Sequence, residues 1–191
     1  KAKVYGLDNY DDYYDVNFKK RRISLLKKKN NFHFYNIDIR DKKKLHNFFK
    51  NKKLNIVLHL AAQAGVRYSL INPRKYIDVN IYGFINMINC IKRFKVNKFI
   101  YASSSSVYGE SKKFPLLEDN KVNPKNIYGY SKLINEKIAE YFYKNNNIPS
   151  IGIRFFTVFG PWGRPDMFIL KLLSLNKKKK FFQLNNSGDH Y

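Results

Sequence analysis

The sequence predicts an α/β fold built on a doubly wound parallel sheet, and two observations support this prediction. Short apolar or alternating runs, which are typical of strands, alternate along the chain with longer segments of helical periodicity. Distinctive residues also follow several strand-like runs, at the carboxyl ends where parallel sheets bind their ligands. These residues are Asp8, Asp38, the segment 61–63 and the serines at 103–106.

The predicted elements follow one another without an internal repeat. Strands are predicted over residues 3–7, 32–37, 56–60, 96–102 and 148–155. Helices are predicted over residues 15–28, 42–50, 74–94 and 126–144. Asp41 is placed to cap the second helix, and Pro73 precedes the third. The continuous apolar run at 56–60 predicts a strand that is buried on both faces.

The composition indicates a folded protein of a reducing compartment. Of the 191 residues, 44% are hydrophobic, and the single cysteine, Cys90, has no partner for an internal disulfide. No apolar run reaches the ~18 residues of a membrane helix. No apolar segment follows the basic N-terminal residues, as it would in a signal peptide. We therefore expect a cytoplasmic protein without a membrane partner.

The net charge of +23 leaves two interpretations open. Such a charge is typical of nucleic-acid-binding proteins, but lysine, asparagine and aromatic residues are abundant everywhere, as an AT-rich coding sequence would produce. The basic stretches at 19–22, 27–29, 42–44 and 177–180 are interpreted as exposed. Because no groove-reading element or localised basic stripe is evident, we favour compositional bias and expect no nucleic-acid partner.

Only part of a dinucleotide-binding pattern is present. A Rossmann unit requires a glycine-rich turn after its first strand, and this chain has none. The first predicted strand instead ends at Asp8, the kind of acidic residue with which the second strand of such a unit holds a ribose. We interpret the chain as a fragment that lacks the first strand and glycine loop. Asp8 and Asp38 could also be ordinary turn residues.

Tyr128 and Lys132 form the sharpest local motif. They stand four residues apart on a predicted helix, so they share a face. A nearby ammonium favours the phenolate form of a tyrosine, which could then accept a proton from a sugar hydroxyl. Such a pair often arises by chance in a chain rich in both residues. Tyr130 is the weaker candidate, because no lysine lies four residues from it.

Together with the serine run, these motifs resemble a known family. The Asp8-Asn9 pair, the segment 59–67, the serines at 103–106 and the Tyr128/Lys132 pair are similar to extended short-chain dehydrogenases that act on nucleotide sugars. The segments 8–16 and 154–167 narrow the resemblance to UDP-glucuronate 4-epimerases. The resemblance covers essentially the whole chain.

The resemblance implies roles for individual residues. It makes Tyr128 the base, Lys132 its activator and Ser104 the proton relay, with a serine one position away as the alternative. The residues that it places at the cofactor, NAD, are Asp8, Asn9, Asp38, Ile39, Leu60, Ala61, Ala62, Gln63, Asn80 and Phe156. The residues that it places at the sugar are Arg67, Ser105, Ser106, Thr157 and Arg164. It implies no metal.

The resemblance also implies an activity and an organisation. UDP-glucuronate would be converted to UDP-galacturonate by NAD-dependent inversion at C4, through a transient 4-keto intermediate. Residues 1–160 would form a Rossmann-like NAD-binding domain, truncated at its N-terminus. Residues 161–191 would begin a substrate-binding region, most of which is missing. The full-length protein would be a homodimer paired through the helices at 74–94 and 126–144.

Three other functions stay open. Epimerisation of a neutral UDP-sugar, such as UDP-glucose or UDP-galactose, is the closest, although Arg67 and Arg164 suit a carboxylate. A nucleotide-sugar dehydratase or decarboxylase would carry a carboxylate before Val107, where this chain has uncharged serines. A catalytically inactive interaction domain on the same fold would not need the set of Ser104, Tyr128 and Lys132.

Overall fold

The computed structural model describes residues 2–111 and 114–177. These residues form two compact units. The larger unit comprises residues 5–9 and 35–156 without the two undescribed positions, and the smaller comprises residues 2–4, 10–34 and 157–177. The domain boundary expected at residue 160 stays a prediction.

All the predicted strands and helices are present, with ends shifted by a few residues. The strands are β1 (Val4–Asp8), β2 (Phe32–Asn36), β3 (Ile56–His59), β4 (Lys98–Ala102) and β5 (Ser150–Ile153). The helices are α1 (Val16–Lys27), α2 (Lys42–Lys50), α3 (Val66–Ile71), α4 (Pro73–Tyr76), α5 (Gly83–Arg93), α6 (Ile127–Asn146) and α7 (Phe168–Lys177). The Asp41 carboxylate accepts a hydrogen bond from the Lys44 amide and caps α2, as expected.

The helix predicted over 74–94 is interrupted. A π-helical turn, Ile77–Tyr82, separates α4 from α5, and its Asn80 side chain is buried. Wide turns of this kind occur frequently at functional sites. Sequence periodicity does not reveal such a turn, because the apolar spacing on either side of it remains helical. The short helix α3 and the C-terminal helix α7 were not predicted.

Strands β3, β4 and β5 form a parallel sheet in that order, and β1 pairs with β2 in a separate two-stranded sheet. Leu58 stands beside Ile100, which stands beside Ile151, so these three side chains share one face. Leu58 is 58% exposed and Ile151 is 52% exposed. The prediction that β3 is buried on both faces is therefore wrong. The side chains of its apolar run point alternately to a buried face and to an open face of the sheet.

The opposite face of this sheet carries the core. His59 and Phe99 point into it and contact Phe84 of α5, with ring centroids 5.5 Å apart in each case. Leu45 of α2 and Ile88 of α5 are completely buried in the same cluster. Each fully buried side chain of this size stabilises the fold by about 1.5–3 kcal/mol. The core therefore covers one face of the sheet and holds the strands whose carboxyl ends lead into the site.

The smaller unit is held by aromatic and basic side chains of α1 and the 157–177 segment. The Phe18 and Trp162 rings lie 5.3 Å apart, and Arg22 donates to the Trp162 carbonyl at 3.2 Å. Lys19 was expected to be exposed but is buried, with its ammonium 4.9 Å from the centre of the Tyr14 ring. An aromatic ring face attracts a cation, which explains this position.

Candidate active site

The serine run and the Tyr128 helix meet directly. Ser104 ends the extended chain after β4 and precedes a 3₁₀ turn, Ser105–Val107. Tyr128 lies in the first turn of α6, which Asn126 caps by accepting from the Gly129 amide. A Cβ atom at Gly129 would lie 2.6 Å from the Ser106 carbonyl oxygen. Only glycine allows this close approach, and it brings the two predicted catalytic segments into contact.

Lys132 lies on the buried side of α6. Its side chain is 3% exposed, and its ammonium donates to the Ala102 carbonyl oxygen at 2.8 Å. Burial disfavours the charged form and lowers the pKa of Lys132 from 10.5 to about 8. His59 is buried nearby, and burial together with the Lys132 charge lowers the pKa of its imidazole to about 3. A neutral His59 therefore adds no second positive charge.

The structure separates the roles of the serines. Ser103 donates to the Glu136 carboxylate at 2.5 Å, and the same carboxylate receives two hydrogen bonds from Arg154. Ser103 is therefore occupied by a structural contact. The Ser104 oxygen accepts from the Ser106 amide at 3.1 Å, and its hydroxyl donates to none of the described residues. Ser104 is buried at the start of the 3₁₀ turn that packs on α6, and it retains a proton that it can pass on.

The predicted adenosine-binding residues follow β1 and β2. Asp8 ends β1, and the Asn9 amide donates to the Asp38 carboxylate at 2.9 Å. Burial acts to raise the pKa of Asp38, but hydrogen bonds from Arg40 and Asn9 outweigh it and lower the pKa to about 2. The Ile39 side chain points into the core against Gly83, and its backbone carbonyl accepts a hydrogen bond from the Asn86 side chain at 3.1 Å.

The loop after β3 carries the next predicted group. Leu60 and Ala61 are exposed, Ala62 is half-buried, and Gln63 is buried. Gln63 is held by Asn80, whose side chain binds both its backbone amide and its carbonyl. Phe156, after β5, is 59% exposed and available for contact.

The predicted sugar-binding residues fall in both units. Arg67 is exposed on α3 and forms no ion pair with the residues that the structure describes, and Ser105 and Ser106 are half-buried in the 3₁₀ turn. Thr157 and Arg164 belong to the smaller unit. There the Arg164 guanidinium forms two hydrogen bonds with Asp166. Binding a carboxylate through Arg164 therefore requires exchange of this partner.

Sequence reasoning missed several polar residues beside the predicted site. Tyr76 is completely buried, donates to the Gly65 carbonyl at 2.5 Å, and its ring lies 6.2 Å from that of Tyr128. Ser131 and Asn135 are buried on the same side of α6 as Lys132. The spacing of Ser131 and Asn135 could have revealed them, because positions three and seven residues after Tyr128 share its helical face.

None of the helices in the described part of the chain is both long and apolar enough to cross a membrane. Within the same residues, no group of three or more histidine, cysteine, aspartate or glutamate side chains is arranged to hold a metal ion.

A parallel α/β sheet whose strand ends meet a Tyr–Lys helix and a serine turn defines the class of short-chain dehydrogenase-like proteins. The chain belongs to the NAD dependent epimerase/dehydratase family, whose model matches residues 3–190. The predicted family and fold class are thereby confirmed.

Individual relatives are similar over nearly the whole chain. Protein CapI of Staphylococcus aureus is 41% identical over 187 residues, which are 97% of this chain and 56% of that protein. UDP-glucuronate 4-epimerase 4 of Arabidopsis thaliana is 41% identical over 97% of this chain and 43% of its own length. The chain thus spans about half the length of the curated relatives it matches.

A solved structure also supports the fold. UDP-glucuronic acid 4-epimerase from Bacillus cereus, in complex with UDP-glucuronic acid and NAD, superposes with a TM-score of 0.86 at 33% identity. The match covers 92% of this chain and 55% of that one.

Proposed function

We propose that the full-length protein inverts the configuration at C4 of a nucleotide sugar, converting UDP-glucuronate to UDP-galacturonate with NAD as a retained cofactor. The observation that carries this proposal is the buried Lys132 ammonium one helical turn from Tyr128, on a helix packed against the serine turn. The similarity to UDP-glucuronate 4-epimerases supports the choice of sugar.

The described residues fit a dinucleotide. The ends of β1 and β2 present Asp8 and the ionised Asp38, and the loop after β3 presents the apolar surface of Leu60 and Ala61. Hydrogen-bond acceptors suit ribose hydroxyls, and an apolar loop suits the flat rings. When bound, NAD would accept a hydride from C4 and would later return that hydride to the same carbon.

The chain's own residues move the proton. Tyr128, as the general base, accepts the proton of the 4-hydroxyl, and Ser104 relays it when the oxygens are not in direct contact. Lys132 supplies a positive charge one helical turn from the base, and the Ala102 carbonyl holds its ammonium in place. The resulting 4-ketone presents its other face, and Tyr128 then returns the proton to the oxygen. No net oxidation occurs.

Removal of the Tyr128 hydroxyl tests this proposal. Tyr128→Phe in the full-length protein should lower kcat for UDP-glucuronate by about 10²–10⁴-fold, the usual contribution of a general base. Tyr130→Phe is the matched control, because Tyr130 is an exposed tyrosine on the same helical turn. Product analysis should find UDP-galacturonate in the wild type. A pentose or a 4-keto-6-deoxy sugar as product would overturn the assignment in favour of a decarboxylase or a dehydratase.

Arginine variants test the preference for an acidic sugar. Arg67 has no ion-pair partner among the described residues, whereas Arg164 is bound to Asp166, so Arg67 is the stronger candidate for the carboxylate. Arg67→Ala should lower kcat/KM for UDP-glucuronate at least tenfold more than for UDP-galactose. The effect of Arg164→Ala on this ratio should be smaller. Equal losses with the two sugars would contradict the preference.

We also propose that the full-length protein acts in the cytoplasm as a homodimer paired through the segments 74–94 and 126–144, which contain α5 and α6. Exposed aromatic residues such as Tyr82, Tyr141 and Tyr143 support a contact there. Sedimentation equilibrium should give a mass of two chains, and a single-chain mass at micromolar concentration would contradict the dimer.

A further inference from the structure

One face of α6 carries polar side chains on successive turns. Tyr128, Ser131, Lys132 and Asn135 stand at the spacing that places side chains on a single helical face. The last three are at most 3% exposed. A helix face that packs into a fold is ordinarily apolar, because a buried polar group is costly unless it is hydrogen-bonded. Each of these groups therefore needs a defined partner.

Asn80, in the π-helical turn, is the partner of two of them. Its side-chain amide donates to the Ser131 hydroxyl at 2.9 Å, and its backbone carbonyl accepts from the Asn135 amide at 2.6 Å. Ser131 in turn donates to the Tyr128 carbonyl at 2.7 Å. These bonds join the π-helical turn to the turn of α6 that carries the proposed base.

The same asparagine holds the loop after β3. Its side-chain oxygen accepts from the Gln63 amide at 2.7 Å, and its side-chain nitrogen donates to the Gln63 carbonyl at 3.0 Å. Both hydrogens of the Asn80 side-chain amide are thus used within the protein, one on Gln63 and one on Ser131. Asn80 was expected to contact the cofactor, but its donors are already engaged in holding that loop.

We propose that Asn80, Ser131 and Asn135 are positioning residues that fix the loop carrying Leu60 to Gln63 relative to Tyr128 and Lys132. This inference rests on the proposed function for the identity of the two ligands that the loop and the helix would hold. In this role the three residues act through the loop and the helix that they join, and not on the reacting atoms. They set the separation between the surface that receives the cofactor and the group that moves the proton.

The energetic reason is the steep dependence of catalysis on placement. A misplacement of about 1 Å at a reacting centre costs about 10²-fold in rate. Each hydrogen bond in this network joins a defined donor to a defined acceptor, so one arrangement of loop and helix satisfies all of them. Apolar side chains would fill the same space but would tolerate sliding between the two elements.

Hydrogen exchange in the NAD-free, full-length protein is the first test. Ser131→Ala and Asn135→Leu should each speed exchange of the Gln63 amide at least tenfold, because the bond to Asn80 opens more often. Ser69→Ala is the matched control. Ser69 is equally buried and donates to a carbonyl three residues before it, as Ser131 does, but it lies outside this network. Unchanged exchange at Gln63 in both network variants would overturn the proposal.

Steady-state kinetics of the NAD-loaded protein are the second test. Ser131→Ala and Asn135→Leu should each lower kcat for UDP-glucuronate about 10²-fold, with KM changed less than threefold. The double variant should lose no more than the larger single loss, since both substitutions release the same unit. Losses that multiply, or a lowered melting temperature with normal kcat, would overturn the positioning role.

The two tests separate this inference from the proposed function. If the wild type epimerises no UDP-sugar, the proposed function fails, whereas the exchange result still decides whether the network holds the loop. If the wild type is active and the variants keep its kcat, the positioning role fails and the proposed function stands.

Discussion

At the scale of single residues, the state of Lys132 matters most. Its position four residues after Tyr128 was predictable from the sequence, because helical spacing alone places the two on one face. Its pKa of about 8 was not predictable, since it depends on burial by elements distant in the chain. The same holds for Ser103 and Ser104, which look alike in the sequence and differ only in their partners.

The Lys132 amine should make stability depend on pH. Between pH 8 and 10.5 the unfolded chain binds more protons than the folded chain, so folding becomes more favourable as the pH rises. The free energy of unfolding of the wild type, relative to Lys132→Met, should increase by roughly 1.5 kcal/mol from pH 8 to 9.5. Urea unfolding of both proteins across this range measures the difference. A constant difference would mean that Lys132 titrates normally.

At the scale of elements, the contact between α6 and the serine turn organises the site. The sequence predicted the helix, and a serine run after a strand, but gave no reason for Gly129 between two tyrosines. The structure supplies the reason, because the Ser106 carbonyl occupies the space of any side chain at that position. The π-helical turn likewise escaped prediction, although Asn80 within it was predicted to belong to the site.

Gly129→Ala should therefore be harmful although alanine favours helices. The added methyl group must displace the backbone of the serine turn, and overpacking of this kind costs about 1–3 kcal/mol. We expect a lower free energy of unfolding and a kcat lowered at least tenfold. Comparison of Lys137→Ala with Lys137→Gly, at an exposed position of the same helix, measures the effect of helix propensity alone. A fully active Gly129→Ala would show that the two elements can separate without consequence.

At the scale of the whole molecule, the α/β class and the parallel pairing were predictable, because they follow from the order of strand and helix signals. The burial of β3 was not, since a continuous apolar run cannot reveal which of its faces is covered. The two-unit division also escaped prediction. It joins residues 10–34 to residues 157–177, which are far apart in the sequence.

The open face of the β3–β5 sheet should make the isolated 191-residue chain prone to self-association. Leu58, Ile100 and Ile151 form a contiguous apolar patch, and patches of this kind promote association. The chain should bind a hydrophobic dye strongly, and Leu58→Lys with Ile151→Lys should reduce the signal at least threefold while far-UV circular dichroism is retained. Unchanged dye binding would show that the exposed apolar surface that binds the dye lies elsewhere on the chain.

The contact of Ser103 and Arg154 with Glu136 bears on how activity screens of this protein are interpreted. The Glu136 carboxylate accepts hydrogen bonds from Ser103 and Arg154, and it thereby anchors the strand end from which the serine turn departs. Random substitutions at Glu136 should therefore cluster with those at Tyr128 among inactive clones. A map of function drawn from such clones alone would extend the active site one turn too far along α6.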